Sequence, residues 1–353
     1  MKTKKSLASA ILIAAAVGAV YIIFAVRPLG TEYQFLPEWK IDVTNPTVRD
    51  TAEGDTLLPF KLGQSMGYFT PEGKVVRFET FPFKASISRS FYTSYTANNS
   101  GTDFWTPDGE KAGTISASGF PMIDGDRIFV FQPGGSAFLM CSGDGSRRWE
   151  YSGAVPITAF DSAADSCVAG FADGTVCEFS SDGEIRQRFA PGGSDYPVIL
   201  GAAISPDGEH IATVSGQTRQ RFVLAKKDGV QTKIVFHEFL PSDEPLQQLV
   251  KFTSDSALVF YHCKDAIGIV STRTGKSARL KMSGQAISLQ ELGNLVFVLT
   301  KRGRTYTVYA IEKFATPAGS FSFQADAAFI LADGGRLYVG KDSTISCIDI
   351  QKK

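Results

Sequence analysis

The stretch "CSGDGSRRWEYSG", Cys141–Gly153, decides the fold, because its glycine turn recurs along the chain. Gly143-Asp144-Gly145 forms a polar turn, and an alternating segment that contains Trp149 and Tyr151 follows it. Glycine supplies the positive backbone angles that tight hairpins need. The stretch therefore predicts a hairpin tip followed by a short β-strand.

Glycines in equivalent turns recur at spacings of 36, 36, 38, 46, 46 and 44 residues. Before most of these glycines lies an apolar or alternating strand, and a stronger strand rich in valine, phenylalanine and tyrosine lies further upstream. A period of about 40 residues with four short strands in each unit is typical of a propeller blade. The glycines are Gly73, Gly109, Gly145, Gly183, Gly229, Gly275 and Gly319.

The count of strand pairs predicts an all-β chain folded as a seven-bladed β-propeller, with six or eight blades as alternatives. The last pair, which ends in "STISCIDIQKK", has no outer strand after it, and residues 75–81 form a strand with no complete blade before it. We therefore expect a propeller over residues 61–353, closed by pairing of strand 75–81 with the C-terminal blade, Leu331–Ile350. Such closure removes free sheet edges.

Two motifs resemble known propeller repeats. "CSGDGSRRWEY" resembles the outer hairpin of the pyrroloquinoline-quinone (PQQ)-type repeat, in which a turn and then a tryptophan recur in each blade. "SPDGEHIATVS", Ser205–Ser215, resembles the WD40-like repeat of bacterial envelope propellers. The resemblance covers roughly residues 60–350 as architecture. It implies a bacterial envelope protein and names no ligand.

The N-terminal segment predicts a membrane anchor. Residues 7–26 carry no charge and follow three lysines. Twenty helical residues span about 30 Å, the thickness of a bilayer core. The positive-inside bias then places residues 1–6 in the cytoplasm and the propeller on the extracytoplasmic side of the inner membrane. A cleaved signal peptide is the alternative.

Residues 27–60 contain four prolines without a regular period. Prolines at irregular intervals are typical of a connecting segment. The sequence therefore predicts an extracytoplasmic linker between the membrane and the propeller.

The composition argues against nucleic acid as a partner, because 36 basic residues balance 36 acidic residues. Quinoprotein dehydrogenases share this kind of propeller but require calcium ligands and a tryptophan floor, and the chain has only Trp39, Trp105 and Trp149. We therefore predict that the chain is not an enzyme and binds no cofactor.

A metal site is not predicted either. The three histidines are far apart in the sequence. His262 and Cys263 are adjacent, but neighbouring residues of a strand point to opposite faces. The five cysteines are predicted to be small buried residues. A two-residue turn at Asp173-Gly174 would pair Gly170 with Cys177 and put Cys167 and Cys177 on opposite faces, which argues against a disulfide between them.

Two proline-containing loops are the candidate partner-binding elements, because loops on a rigid scaffold usually carry function. One is "HEFLPSDEPLQQ", residues 237–248, and the other is "APGGSDYPVILG", residues 190–201. The candidate residues are His237, Phe239, Leu240, Pro241, Tyr196 and Pro197.

These observations predict a membrane-anchored, extracytoplasmic scaffold that binds other envelope or membrane proteins without catalysis. One alternative is a propeller that binds a small molecule or glycan in its central channel, either as a binding protein or as an enzyme. Another is an assembly factor for outer-membrane proteins. The second alternative resembles the role of some lipid-anchored propellers, but no cysteine for lipid attachment precedes Cys141.

Overall fold

The computed structural model describes residues 16–18, 32–45, 56–96, 101–193, 196–217, 219–229 and 231–353. Almost all of the regular structure in these residues is β-strand. Valine, isoleucine, phenylalanine and tyrosine alternate with smaller or polar residues between glycine turns, which suits pleated strands with buried faces. The strands form eight antiparallel sheets, seven of four strands and one of three.

The sheets follow one another along the chain as the blades of a ring. The first strand among the described residues is β1 (Tyr33–Asp42). Blade 1 contains β2 (Leu58–Leu62), β3 (Ser65–Phe69) and β4 (Val75–Thr80). Blade 2 contains β5 (Lys84–Ile87), β6 (Tyr92–Tyr95), β7 (Thr102–Trp105) and β8 (Lys111–Ile115). Blade 3 contains β9 (Phe120–Asp124), β10 (Arg127–Phe131), β11 (Ala137–Cys141) and β12 (Arg147–Ser152). Blade 4 contains β13 (Ile157–Ala163), β14 (Ser166–Phe171), β15 (Val176–Ser180) and β16 (Ile185–Phe189).

The second half of the ring repeats this meander, and the last blade borrows β1. Blade 5 contains β17 (Ile199–Ile204), β18 (His210–Ser215), β19 (Arg221–Asp228) and β20 (Gln231–Phe239). Blade 6 contains β21 (Val250–Phe252), β22 (Leu258–Cys263), β23 (Ala266–Ser271) and β24 (Ser277–Lys281). Blade 7 contains β25 (Gln285–Leu292), β26 (Leu295–Arg302), β27 (Thr305–Glu312) and β28 (Thr316–Gln324). Blade 8 contains β29 (Ala328–Asp333), β30 (Arg336–Lys341), β31 (Thr344–Lys352) and, outermost, β1.

The fold is therefore an eight-bladed β-propeller, and the predicted count of seven blades is wrong. The missed unit is blade 1. Its strands β2 and β3 pair from Leu58↔Phe69 to Leu62↔Ser65, in a stretch that the strand count had not recognised as a blade. Strand β2 does alternate, with Leu58, Phe60 and Leu62 buried, but most of it falls within residues 27–60, which were interpreted as a linker.

The predicted closure is also wrong. Strand β4, which covers most of residues 75–81, pairs with β3 of its own blade. The ring closes through β1, which runs antiparallel to β31 from Tyr33↔Lys352 to Asp42↔Thr344. The predicted linker, residues 27–60, thus contains the outer strand of blade 8, and the propeller begins before residue 61. Pro37 is tolerated in β1 because an outermost strand has one edge without a ladder partner.

Most outer strands contain a β-bulge, which directs one side chain toward the next blade. In β12 the register shifts at Arg148, and Trp149 comes next. The indole N–H of Trp149 donates to the carbonyl of Ser181 at 2.9 Å. At Gly183, where φ is +85°, an added Cβ would lie 2.7 Å from the Trp149 ring. The turn glycine therefore leaves room for a side chain from the outer strand of the preceding blade, which packs directly against it.

Trp39 makes the same contact at the closure. The register of β1 shifts between Pro37 and Trp39, and the indole N–H donates to the carbonyl of Pro71 at 3.2 Å. A Cβ at Gly73 would lie 2.9 Å from this ring. Trp39 and its acceptor are 32 residues apart, and so are Trp149 and its acceptor. This matching interval marks β1 as an outer strand, and it was visible in the sequence.

The hydrophobic core lies between neighbouring blades, where each sheet packs against the next. The cluster between blades 3 and 4 is aromatic: the Phe138 ring contacts Trp149 and Phe179, with centroids 5.3 and 5.2 Å apart. All five cysteines are buried, as predicted, and each is a free thiol. The reason given for Cys167 and Cys177 was wrong, because Cys177 pairs with Ala169 and the two thiols share one face.

The predicted transmembrane anchor, residues 7–26, lies outside the described residues except for Ala16–Gly18, which are helical. Among the residues that the structure describes, no helix has the length and apolar character needed to cross a bilayer.

Candidate functional site

The two faces of the ring differ in their exposed side chains. Successive strands of a blade alternate in direction, so each turn joins strands at one of two faces. We define the upper face as the face with two kinds of loop. One kind joins the second and third strands of a blade, and the other leads from an outer strand to the next blade. The exposed large apolar side chains of the upper face are Phe83, Phe120, Tyr196, Phe239 and Leu246. Among the described residues, the lower face carries one, Ile185.

The predicted residues of the first loop lie on this upper face. Tyr196 is 58% exposed, and Pro197 is exposed as well. Pro197 packs over the turn of the second hairpin in blade 4, because a Cβ at Gly174 would lie 2.5 Å from the Pro197 Cβ. The loop from blade 4 to blade 5 therefore rests on blade 4 and presents Tyr196 to solvent.

The second predicted loop is partly a strand. His237 and Phe239 belong to β20, the outer strand of blade 5, and both are exposed. Leu240 is buried, and its N–H donates to the Gln220 carbonyl at 2.8 Å, so it anchors the chain and is not available to a partner. Pro241 is exposed.

Arg221 joins the two predicted segments. Its Nη1 donates to the carbonyls of Pro191 and Gly192 at 2.9 and 3.0 Å. Its guanidinium also lies 5.8 Å from the centre of the Phe239 ring, and that of Arg219 lies 4.4 Å from it. Cation–π contacts of this kind hold an exposed ring in place. The structure thus brings the loop at Tyr196 and the end of β20 into one surface.

The sequence interpretation missed both arginines, because neither belongs to the two candidate loops. The informative signal was positional. Arg221 lies directly opposite Phe239 in the ladder between β19 and β20. Side chains directly opposite each other on neighbouring antiparallel strands lie close enough to contact. That register depends on the length of the hairpin, which the sequence alone did not establish.

A second feature is a cavity of about 400 Å³ beside the ring axis. It is bounded by the inner strands of blades 4, 5, 6 and 7, with part of the segment before β21. Its polar lining includes Asp161, Gln247, Gln248, Lys251 and Gln285.

One ion pair spans the wall of this cavity. Lys251 Nζ donates to Asp161 Oδ1 at 2.9 Å, and Asp161 Oδ2 accepts the backbone N–H of Ile204 at 3.1 Å. Burial alone would lower the pKa of Lys251, but the attraction of Asp161 and the hydrogen bond to it outweigh burial and raise that pKa. The ammonium is therefore held in its charged form.

Neighbouring charges continue this network toward blade 3. The Oδ2 of Asp124 accepts hydrogen bonds from Ser162 Oγ at 2.5 Å and from Arg127 at 2.9 Å. Burial opposes ionisation of Asp124, but these hydrogen bonds lower its pKa below the usual value. Polar side chains thus link blades 3 to 6 around the axis.

His262 and Cys263 do not form a joint site. His262 Nδ1 accepts the backbone N–H of Ala286 at 3.4 Å, whereas the Cys263 thiol donates to the carbonyl of Ala266 at 3.7 Å. Burial lowers the pKa of His262 and raises that of Cys263 to about 11. In the described part of the chain, no group of three or more His, Cys, Asp or Glu side chains is arranged to hold a metal.

Comparisons with known proteins agree with the fold. A family model described as "beta-propeller protein" matches residues 1–353. A relative from Treponema pallidum (strain Nichols), named "Uncharacterized protein", is 31% identical over 341 residues, which cover 94% of this chain and 90% of the relative. The crystal structure of BamB from Moraxella catarrhalis is similar, with a TM-score of 0.62 and 12% identity over 90% of this chain and all of that one. A computationally designed protein, Ika8, has a TM-score of 0.58 at 12% identity, covering 86% of this chain and 98% of its own. At these identities, the structural likenesses show the fold alone.

Proposed function

This chain belongs to the β-propeller protein family, and we propose that it is a non-catalytic platform that binds another protein through its upper face. The observation that carries the proposal is the distribution of exposed apolar side chains. Exposed large apolar side chains that lie close together on a soluble domain often mark a protein-binding site.

The surface around Phe239 has the features of a protein-binding centre. The ring is 43% exposed and is covered on one side by the guanidinium of Arg219. Aromatic residues and arginine are the side chains that most often dominate protein–protein binding energy. Tyr196 lies on the adjoining loop, which Arg221 holds in place. A partner would therefore find anchors that are already ordered.

The proposed partner is another protein of the bacterial envelope, in line with the resemblance to envelope propellers. The location of the ring outside the cytoplasmic membrane stays a prediction, because most of residues 7–26 lie outside the described residues. Protease digestion of intact spheroplasts tests it: degradation of the propeller from outside supports the predicted side, and complete protection contradicts it.

The binding proposal is tested by affinity measurements with a partner identified through co-purification. Tyr196→Asp and Phe239→Asp each place a charge at an exposed position of the upper face. Truncation of an interface anchor costs about 2 kcal/mol or more, so we expect the dissociation constant to rise at least roughly tenfold. Ile185→Asp, at an equally exposed apolar position of the lower face, is the matched control. Equal effects of all three variants would overturn the proposal.

A further inference from the structure

β-Bulges in the inner strands are concentrated at the axial cavity. Among the described inner strands, β13, β17 and β25 carry a register shift, at Thr158, Leu200 and Ile287 respectively. All three strands line the cavity. The inner strands β2, β5, β9, β21 and β29 pair without a shift, and of these β21 lines the cavity. Bulges re-aim side chains and are over-represented beside active sites, so this distribution indicates a built site.

Each of two bulges brings a specific group to the cavity. The bulge in β25 leaves Ile287 outside the ladder, and its side chain lines the cavity and is 41% exposed. The bulge in β17 frees the Leu200 carbonyl, which accepts the N–H of Gln248 at 2.8 Å. Gly201 permits this approach, because a Cβ there would lie 2.5 Å from the Gln248 carbonyl oxygen. The segment that carries Gln247 and Gln248 is thereby fixed over β17.

Three glutamines, Gln247, Gln248 and Gln285, line the cavity. Gln285 Nε2 donates to the backbone carbonyl of Gln247 at 3.1 Å, which joins the two segments. The side chain of Gln247 is exposed, and its amide offers both an oxygen acceptor and an NH₂ donor. A ligand that both donates and accepts hydrogen bonds can therefore pair with it.

The charges of the lining do not select an ion. Asp161 and Lys251 are paired with each other at 2.9 Å, so the wall offers no excess charge of either sign. The paired ammonium still has protons to donate, because an ammonium carries three. Ile287 supplies apolar surface beside these polar groups. A ring with hydroxyls at its edge and C–H groups on its face complements such a lining.

We propose that this cavity binds a neutral, hydroxyl-rich ligand of the size of a mono- or disaccharide. The volume of about 400 Å³ is within the range of small-ligand pockets. The binding site is distinct from the exposed aromatic surface around Phe239, and the ligand does not depend on the protein partner. Failure of either proposal therefore leaves the other standing.

The test is a titration of the purified propeller with glucose, N-acetylglucosamine, maltose and chitobiose, followed by calorimetry and ligand-observed NMR. We expect at least one of these saccharides to bind with a dissociation constant of about 1 mM or tighter. Ile287→Trp fills the cavity from an exposed position and should weaken that binding at least roughly tenfold. Gln247→Ala removes one amide from an exposed side chain and should weaken binding without affecting folding.

Ile234→Trp is the matched control, because Ile234 is 38% exposed on the outer strand of blade 5. It should leave saccharide affinity unchanged, and thermal melting verifies that each variant is folded. Absence of binding by all four saccharides would overturn the proposal. Binding that Ile287→Trp and Gln247→Ala leave intact would place the ligand elsewhere and overturn it equally. Displacement of the saccharide by acetate or ethylammonium would contradict a neutral ligand.

Discussion

Lys251 Nζ lies 2.9 Å from Asp161 Oδ1, and this contact joins blade 6 to blade 4 past the inner strand of blade 5. The backbone N–H of Ile204, in that intervening strand, donates to the second oxygen of Asp161. One carboxylate therefore ties three consecutive blades together at the axis. Together with the apolar packing between blades, such a contact also fixes the register between sheets.

Asp161→Ala should destabilise the fold, because it leaves the Ile204 N–H and the Lys251 ammonium without their acceptor. Lys251 is 45% exposed, so water compensates part of the loss, and we expect the free energy of unfolding to fall by about 1–3 kcal/mol. Denaturant unfolding measures this change. Lys111→Ala breaks an exposed ion pair of similar length, Lys111–Asp103 at 2.8 Å, and should cost less than about 1 kcal/mol. Equal costs would contradict the bridging role.

Trp39→Ala should loosen the closure of the ring. The Trp39 ring packs against Phe69 and Tyr338, so its removal should lower the free energy of unfolding by about 2–4 kcal/mol. Hydrogen exchange should accelerate in β1 and β31 before other strands. Trp149→Ala removes the equivalent contact inside the ring and should lower stability without accelerating exchange in β1. Uniform acceleration in both variants would argue against β1 as the closing strand.

Gly183→Ala tests the packing of the Trp149 ring against the turn at Gly183. The substitution combines a positive φ with a Cβ only 2.7 Å from the Trp149 ring. Gly135→Ala is the control, because Gly135 also has a positive φ, of +74°, but an added Cβ there meets nothing within 4 Å. We expect Gly135→Ala to cost about 1 kcal/mol and Gly183→Ala clearly more. Unfolding curves of the two variants give the difference between their losses in stability. Equal losses would contradict the packing of Trp149 against Gly183.

The turn glycines carry most of what the sequence reveals about the fold. Their regular recurrence identifies the all-β class and the propeller. Glycine is required in such turns, because at Gly183 the positive φ and the close packing of the Trp149 ring leave no room for another residue type. The turn glycines give one blade too few because both residues 33–42 and most of β2 fall within the segment that was interpreted as a proline-containing linker. The equal interval from Trp39 to Pro71 and from Trp149 to Ser181 carries the missing information.

The candidate site is predicted only in part. Tyr196, Phe239 and Pro241 are exposed, as a binding role requires, whereas Leu240 is buried. Burial of Leu240 depends on the Gln220 carbonyl, which comes from another part of the blade. The axial cavity draws its lining from four blades, and local sequence patterns do not reveal contacts between residues so far apart.

The stability of the propeller should fall in mild acid because of His262. Burial lowers the pKa of His262, so protons bind preferentially to the unfolded chain, where a histidine has a pKa of about 6.5. Stability is then complete above that value and is lost as the pH falls below it. His262→Gln should make the free energy of unfolding less steep with pH between roughly 7 and 5. The exposed His237→Gln is the control, and an unchanged slope for His262→Gln would contradict this account.

Photocrosslinking from defined positions tests the central claim, that the upper face binds a protein, most directly. The photoreactive residue p-benzoylphenylalanine replaces Tyr196, Phe239 or Ile185 in living cells. Tyr196 and Phe239 are exposed on the upper face, and Ile185 is exposed on the lower face. We expect one and the same protein to be crosslinked from Tyr196 and from Phe239, and none from Ile185. Crosslinking of that protein from Ile185 with equal yield, or of no protein from either upper position, would contradict the claim.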